Sequence, residues 1–159
     1  MKGSSNANEI LKSLRLDRHR ARTGKEPHKY FLQEFNVKKP KSAAQLESLI
    51  SEFIELKGGI CTKVTTSGRR LVNKSKVKDV LGHERTLIED KWIPGTTEVG
   101  TSDLIASIPG YVGAVYIEVK FSKSDRQSER QIKFQKKVES RGFKYIIVKT
   151  LDDILPLWG

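Results

Sequence analysis

Apolar positions Leu46, Leu49, Ile50, Phe53 and Leu56 recur at helical spacing, which predicts a helix over residues 43–57. Ser42 and Gln45 have the spacing of a capping box at its start, Pro40 marks the boundary upstream, and Gly58 and Gly59 stop it. Residues 60–64 read as a short strand. Residues 104–108 read as another, followed by a turn at 109–113 rich in Pro and Gly. Residues 114–119 are strongly β in type and place Val115, Ile117 and Val119 on one face. Residues 124–127 can cap a second helix that runs to about Arg141 and ends at Gly142. Residues 145–148 form a buried strand by composition. Residues 150–153 can start a short C-terminal helix, stopped or kinked near Pro156.

Two regions are patterned weakly. In residues 65–99, positions 67–70 look like a turn, 91–93 a strand and Pro94-Gly95 a second turn. Residues 3–8 read as disordered. Beyond them Ile10, Leu11 and Leu14 can share a face of a short helix, with Leu16 off it. Strands flanking the second helix run parallel if they share a sheet. The element order predicts an α/β or α+β sheet with helices on it, and excludes a helical bundle or a β-sandwich. No internal repeat is visible.

Charge changes the picture. The 159 residues carry 30 Lys and Arg against 19 Asp and Glu, a formal charge of +11. Such an excess predicts a polyanionic partner, nucleic acid or an anionic membrane. Residues 1–41 hold much of it and read as a basic N-terminal arm, partly disordered or helical, ahead of one domain over 42–159. Arg15, Arg18, Arg20, Arg22, Lys38 and Lys39 can grip phosphates; equally, the arm can be a solvated tail or a helix packing on a partner subunit. Cys61 is the sole cysteine, and His19, His28 and His83 are scattered, which excludes a disulfide framework and a Cys/His zinc site. No apolar run approaches the ~18 residues of a membrane span, and no apolar signal-peptide core stands at the start, so the expectation is an intracellular, cytoplasmic protein.

The candidate chemistry sits at two strand ends. Asp103 opens one strand, and Glu118 and Lys120 close the next, on one face by period-two alternation. A hairpin about 109–113 would set Asp103 across from Glu118. Carboxylates inside an apolar strand are costly unless paired or bound to a cation. Oxygen ligands favour Mg²⁺ or Mn²⁺, and the Val119 carbonyl can add another. Glu-x-Lys occurs three times, at Glu55, Glu89 and Glu118, but only the last lies in an apolar strand with an Asp upstream. A surface salt bridge is the competing reading of the same residues.

The residues Gly100, Thr101, Ser102 and Asp103, followed by Ile117, Glu118, Val119 and Lys120, resemble the PD-(D/E)-x-K nuclease motif. More particularly they are similar to the VRR-NUC branch, the virus-type replication–repair nucleases. Gln131 on the following helix, Gly142 and the strand at 145–148 continue the resemblance, as does Glu47 ahead of Gly58 and Gly59. Lys63 and the turn at Ser67 and Gly68 match more loosely. The resemblance spans about residues 43–153. Ser102 stands where the family carries Pro, and residues 69–99 lack a counterpart, being an extra loop or hairpin, a substrate loop or a dimer contact.

The resemblance implies a restriction-endonuclease-like core, a mixed central β-sheet flanked by helices in α-β-β-β-α-β order. It implies metal-dependent hydrolysis of DNA phosphodiesters, with Asp103, Glu118, Val119 and Glu47 at the metal and Lys120 at the water or the phosphate. Gln131 would orient Lys120 or a water, or simply bond a strand end. Small stand-alone members resemble Holliday-junction resolvases, which implies a homodimer acting on duplex or branched DNA in replication, recombination or repair. Lys63, Arg126 and Arg130 can contact DNA, and Lys133, Lys136 and Lys137 can track phosphates, though such charges often only solvate a helix. Trp92 and Trp158 read as packing or interface anchors rather than base-stacking platforms. Two other classes compete: a non-catalytic basic DNA-binding module, and a membrane-surface protein, for which residues 9–22 offer a weak amphipathic helix. No phosphate-cradling Gly-rich loop implies a nucleotide cofactor.

Overall fold

A computed structural model of the chain describes residues 6–65, 68–78, 81–93 and 98–158. In order they form α1 (Ala7–Thr23), a 3-10 helix (Lys29–Phe35), α2 (Ala43–Leu56), β1 (Ile60–Lys63), β2 (Arg69–Lys78), β3 (Glu84–Ile93), β4 (Leu104–Ser107), β5 (Ala114–Val119), α3 (Glu129–Glu139), β6 (Lys144–Val148) and a second 3-10 helix (Leu151–Trp158). The fold is mixed α/β.

Four strands make the central sheet in the order β1-β4-β5-β6. β1 and β4 are antiparallel, as are β4 and β5, and β5 and β6 are parallel. The parallel pair follows from the α3 crossover between them. Alternation along β5 makes it a two-sided strand. Val115, Ile117 and Val119 enter the main core with Leu46, Ile50, Phe53 and Ile54 of α2 and Leu104 and Ala106 of β4. Tyr116 faces the α3 side, where its ring meets Phe134 and Phe143, and Phe134 meets Tyr145. Phe53 is fully buried and packs edge-on against Trp158, so truncating it to Ala would cost about 3–5 kcal/mol.

α1 is part of this core. Ala7 and Leu11 are fully buried in it, and the Ala7 N–H donates to Asp152 Oδ1 at 2.7 Å. Asn6, expected in a disordered stretch, caps α1 by accepting from the Asn8 N–H, while residues 3–5 lie outside the described ones.

Three local expectations are corrected. Ser42 does cap α2, but Gln45 reaches back to the Lys41 N–H at 2.7 Å, one residue before the cap. The cap of α3 is Ser128, not residues 124–127, and Ser128 and Gln131 form a reciprocal capping box. Asp125 instead accepts from the Ser122 N–H and closes a local turn. The C-terminal helix is a 3-10 helix that keeps Pro156 inside it and continues to Trp158.

The weakly patterned region is a second sheet. β2 and β3 pair over ten residues each and, among the described residues, with no other strand. Arg69 and Arg70, expected in a turn, open β2; Ser67 and the turn at Pro94-Gly95 fall outside the described residues. Among the described residues no helix is long and apolar enough to cross a membrane.

Candidate functional site

The site forms where β4 begins and β5 ends. Leu104 pairs with Ile117, so the next position, Asp103, lies beside Glu118 as the hairpin expectation required. Asp103 is fixed by both of its acceptor groups. Its carbonyl accepts from the Val64 N–H at 2.8 Å, and its Oδ2 accepts from the Val119 N–H at 2.8 Å. Val119 thus holds Asp103 through its N–H.

Glu118 is fully buried. Its charge is matched from three elements. Lys120 Nζ lies 2.7 Å from Oε1, the Gln131 side-chain amide donates to Oε1 from α3, and the Tyr145 hydroxyl donates to Oε2 at 3.3 Å from β6. Gln131 Oε1 accepts from Lys120 Nζ at 3.2 Å and from the Ser128 N–H at 2.8 Å. One amide therefore caps α3 and locks the Glu118–Lys120 pair.

Burial pushes the Glu118 carboxyl above its ordinary range; Lys120 opposes that shift and the neighbouring Asp103 charge adds to it. Burial also pushes Asp103 up, opposed by the Val119 N–H, with Glu47 adding to the rise. Tyr145 is driven well above the usual phenol range by burial, then by Glu118, which keeps it a hydroxyl donor. Glu47 belongs to the same electrostatic group. Its Oε2 is buried and ion-paired with Lys63, yet accepts no properly directed hydrogen bond. Glu47, Asp103, Glu118, Lys120 and Gln131 are thus brought to one end of the sheet from α2, β4, β5 and α3.

The loop carrying Asp103 is docked on α3. Lys137 Nζ pairs with Glu98 at 2.6 Å. Gly100 has φ +92°, and an added Cβ would lie 2.7 Å from the Arg130 carbonyl carbon. Only glycine fits that approach. Ser102 is buried and donates to the Leu104 carbonyl at 3.0 Å, which ties the loop locally. An open cleft of about 670 Å³ lies here, lined by Gly100, Asp103, Arg130 and Gln131 among others.

Comparison of the chain with protein-family models, with curated proteins and with solved structures finds no match. The site must therefore be read from its own chemistry.

The expected phosphate contacts divide. Arg130 lines the cleft. Lys63 is held at Glu47. Arg126 is exposed and folds back on the Lys123 and Asp125 carbonyls. Arg15 does not stand free: it forms a fork on Glu52 at 2.8 and 2.6 Å and donates to the Asn36 carbonyl at 3.2 Å. Arg20 is paired with Glu26 at 2.7 Å and Asp17 at 2.8 Å. Arg18 and Arg22 are exposed on α1. Lys38 and Lys39 line a separate groove of about 590 Å³ beside Gln45, Ser48 and Glu52. At about 100° per residue that face of α2 lies opposite Glu47, so this groove is not a continuation of the cleft.

Tyr145 and Ser128 were missed as site residues. A Tyr in a strand read as buried was a signal, since a buried phenol needs a partner for its hydroxyl. Ser128 followed by Gln131 has capping-box spacing, another legible sign.

Proposed function

We propose that this chain is a metal-dependent nuclease that hydrolyses DNA phosphodiester bonds, on a restriction-endonuclease-like core of the VRR-NUC kind. The observation that carries the reading is the convergence of Asp103, Glu118, Lys120 and Gln131 from two adjacent strands and a helix: Lys120 and Gln131 are bonded to the buried Glu118 carboxylate, and Asp103 is held beside them by the Val119 N–H. The order α2-β1-β4-β5-α3-β6, with the β2–β3 ribbon inserted after β1, supports the same core.

A divalent cation of the Mg²⁺ or Mn²⁺ type suits these donors. Glu47, Asp103 and Glu118 are hard oxygen ligands; burial first, and then repulsion from a neighbouring carboxylate, raises Asp103 and Glu118. Among the described residues they do not stand as a ready cluster of metal ligands. Lys63 and Lys120 neutralise two of them instead. The holding residues would be Asp103 and Glu118, with the Val119 carbonyl and Glu47 beside them, once those lysines yield. Such a cation supplies charge neutralisation and an activated water. Lys120 would turn its ammonium to the phosphate or the attacking water, and Gln131 would hold it there. Asp103 keeps its orientation through Val119. Arg130 would grip a phosphate entering the cleft. Two copies acting as a dimer would present two clefts to a branched DNA, the arrangement a junction resolvase needs.

A second reading has an observation in its favour. The lysines that pair Glu47 and Glu118 also make a self-sufficient ion-pair network, which a non-catalytic basic DNA-binding module would keep. The deciding experiment is a gel assay on linear duplex, flap, single-stranded and four-way-junction DNA with Mg²⁺, Mn²⁺ or EDTA. Cutting that requires the cation supports the nuclease, and a preference for the junction supports the resolvase. Salt-sensitive binding with no cutting in any lane supports the binding module.

A further inference from the structure

We propose that the β2–β3 ribbon is a DNA-gripping element, separate from the cleft, that seats duplex DNA on the face bearing Lys74, Lys76 and Lys78. The choice of DNA among polyanions rests on the nuclease reading; the ribbon's capacity to bind a polyanion rests on its own residues.

A two-stranded ribbon by itself is marginally stable in water. This one pairs with no other strand among the described residues, and it leaves Val72, Leu87, Ile88 and Trp92 exposed. It therefore presents a long surface in need of a covering partner. The charge says which. β2 carries Arg69, Arg70, Lys74, Lys76 and Lys78 and no acidic residue.

Cross-strand pairing sorts the side chains. Arg70 pairs with Trp92, Val72 with Asp90, Lys74 with Ile88, Lys76 with Thr86 and Lys78 with Glu84, so these ten share one face. Asp90 is taken by Arg70, and Glu84 lies 3.4 Å from Lys76. Lys74 and Lys78 have no ion-pair partner among the described residues. The three lysines recur every second residue, about 6.5–7 Å apart, in one straight row. Ile88 and Trp92 lie beside the row, and Trp92 is 62% exposed. Its indole lies against Gly68, where an added Cβ would meet the ring at 2.6 Å. A row of cations beside an exposed aromatic is a surface for a phosphate backbone and its sugars, and a major groove admits a two-stranded ribbon of this width.

Lysines on an exposed strand also guard against unwanted sheet addition. That role leaves Trp92 and Ile88, exposed on the lysine face itself, unexplained. A second copy of a chain bearing +11 would meet the ribbon with like charge.

The test uses the full chain and a labelled DNA duplex in EDTA, with affinity followed by anisotropy across a salt series. The Lys74→Ala, Lys76→Ala, Lys78→Ala triple variant should lose about tenfold or more in affinity at low salt, and its log K against log salt should be shallower by about 2 to 3. The corresponding triple Lys→Arg variant should restore both, which a misfolded ribbon would not explain. An unchanged affinity and slope in the alanine variant overturns the proposal. So does a change confined to sedimentation, which would make the ribbon a contact between copies. Cleavage activity separates the two readings. A wild-type protein that binds through the ribbon yet never cuts removes the nuclease and keeps the grip. One that cuts with its affinity untouched by the triple alanine change does the reverse.

Discussion

The side-chain amide of Gln131, on α3, donates to the buried carboxylate of Glu118, on β5. The other end of the same amide accepts from Lys120 and from the Ser128 N–H. Helix capping and the arrangement of the buried ion pair are thus one structural decision. Gln131→Ala should lower stability by about 1–3 kcal/mol, because a cap and a partner of a buried charge vanish together. DNA cleavage should fall with it. Denaturant unfolding beside a cleavage assay checks both. Stability within experimental error of wild type would mean that Gln131 holds neither.

Asp103 and Glu118 give a pH signature whose sign can be worked out. Burial raises both above the ordinary values of 3.8 and 4.5. The folded protein then holds these protons more tightly than the unfolded chain does. Their ionised forms weigh against folding in full above the raised values, and that penalty disappears as pH falls towards the ordinary ones. Asp103→Asn can still accept from the Val119 N–H, so in EDTA it should melt above wild type at neutral pH, with the gap closing in acid. Activity in wild type should fail in acid at a pH above the usual carboxylate range. Thermal melts across about pH 4 to 8 decide it, and a neutral-pH melting point below wild type would contradict the account.

Arg15 acts as a clamp between α1, the chain near Asn36 and α2. Both partners of its fork are partly shielded, at 21% and 31% side-chain exposure. Arg15→Ala should therefore cost about 1–2 kcal/mol of stability and leave the salt dependence of DNA binding unchanged. Urea unfolding and a binding titration measure the two separately. A flatter salt slope with unaltered stability would restore Arg15 to the phosphate contacts.

Gly100 is constrained twice, by φ +92° and by the backbone of Arg130 behind it. Gly100→Ala should cost about 2 kcal/mol or more and shift the Asp103 loop off α3. Cleavage should drop even where the protein stays folded by circular dichroism. Full stability in the alanine variant would mean that the loop does not dock as described.

The sheet core was legible because its signals are local. Leu46, Ile50 and Phe53 announce α2, and Val115, Ile117 and Val119 announce a strand buried on one side. The period-two rule also set Glu118 and Lys120 on one face, and the turn at 109–113 set Asp103 beside them. What was not legible depends on partners distant in sequence. Leu11 reads, with Ile10 and Leu14, as a short apolar face in a basic segment, and only tertiary packing makes it a core residue. Arg15 reads as a phosphate ligand until Glu52, far along the chain, is placed against it. The β2–β3 ribbon was legible only as one alternative, an extra hairpin within 69–99, because neither strand shows an apolar alternation. Tyr145 stood in a strand read as buried, and the need of its hydroxyl for a partner was the sign passed over.

Cation-dependent cleavage of DNA is proposed to rest on Asp103 and Glu118. The most direct measurement compares wild type with Asp103→Ala on one DNA substrate, with Mg²⁺, with Mn²⁺ and with EDTA, both proteins being folded by circular dichroism. Wild type should cut with either cation and not in EDTA, and the variant should lose activity on the order of a hundredfold or more. Equal cutting by the two proteins, or cutting undiminished by EDTA, would contradict this proposal.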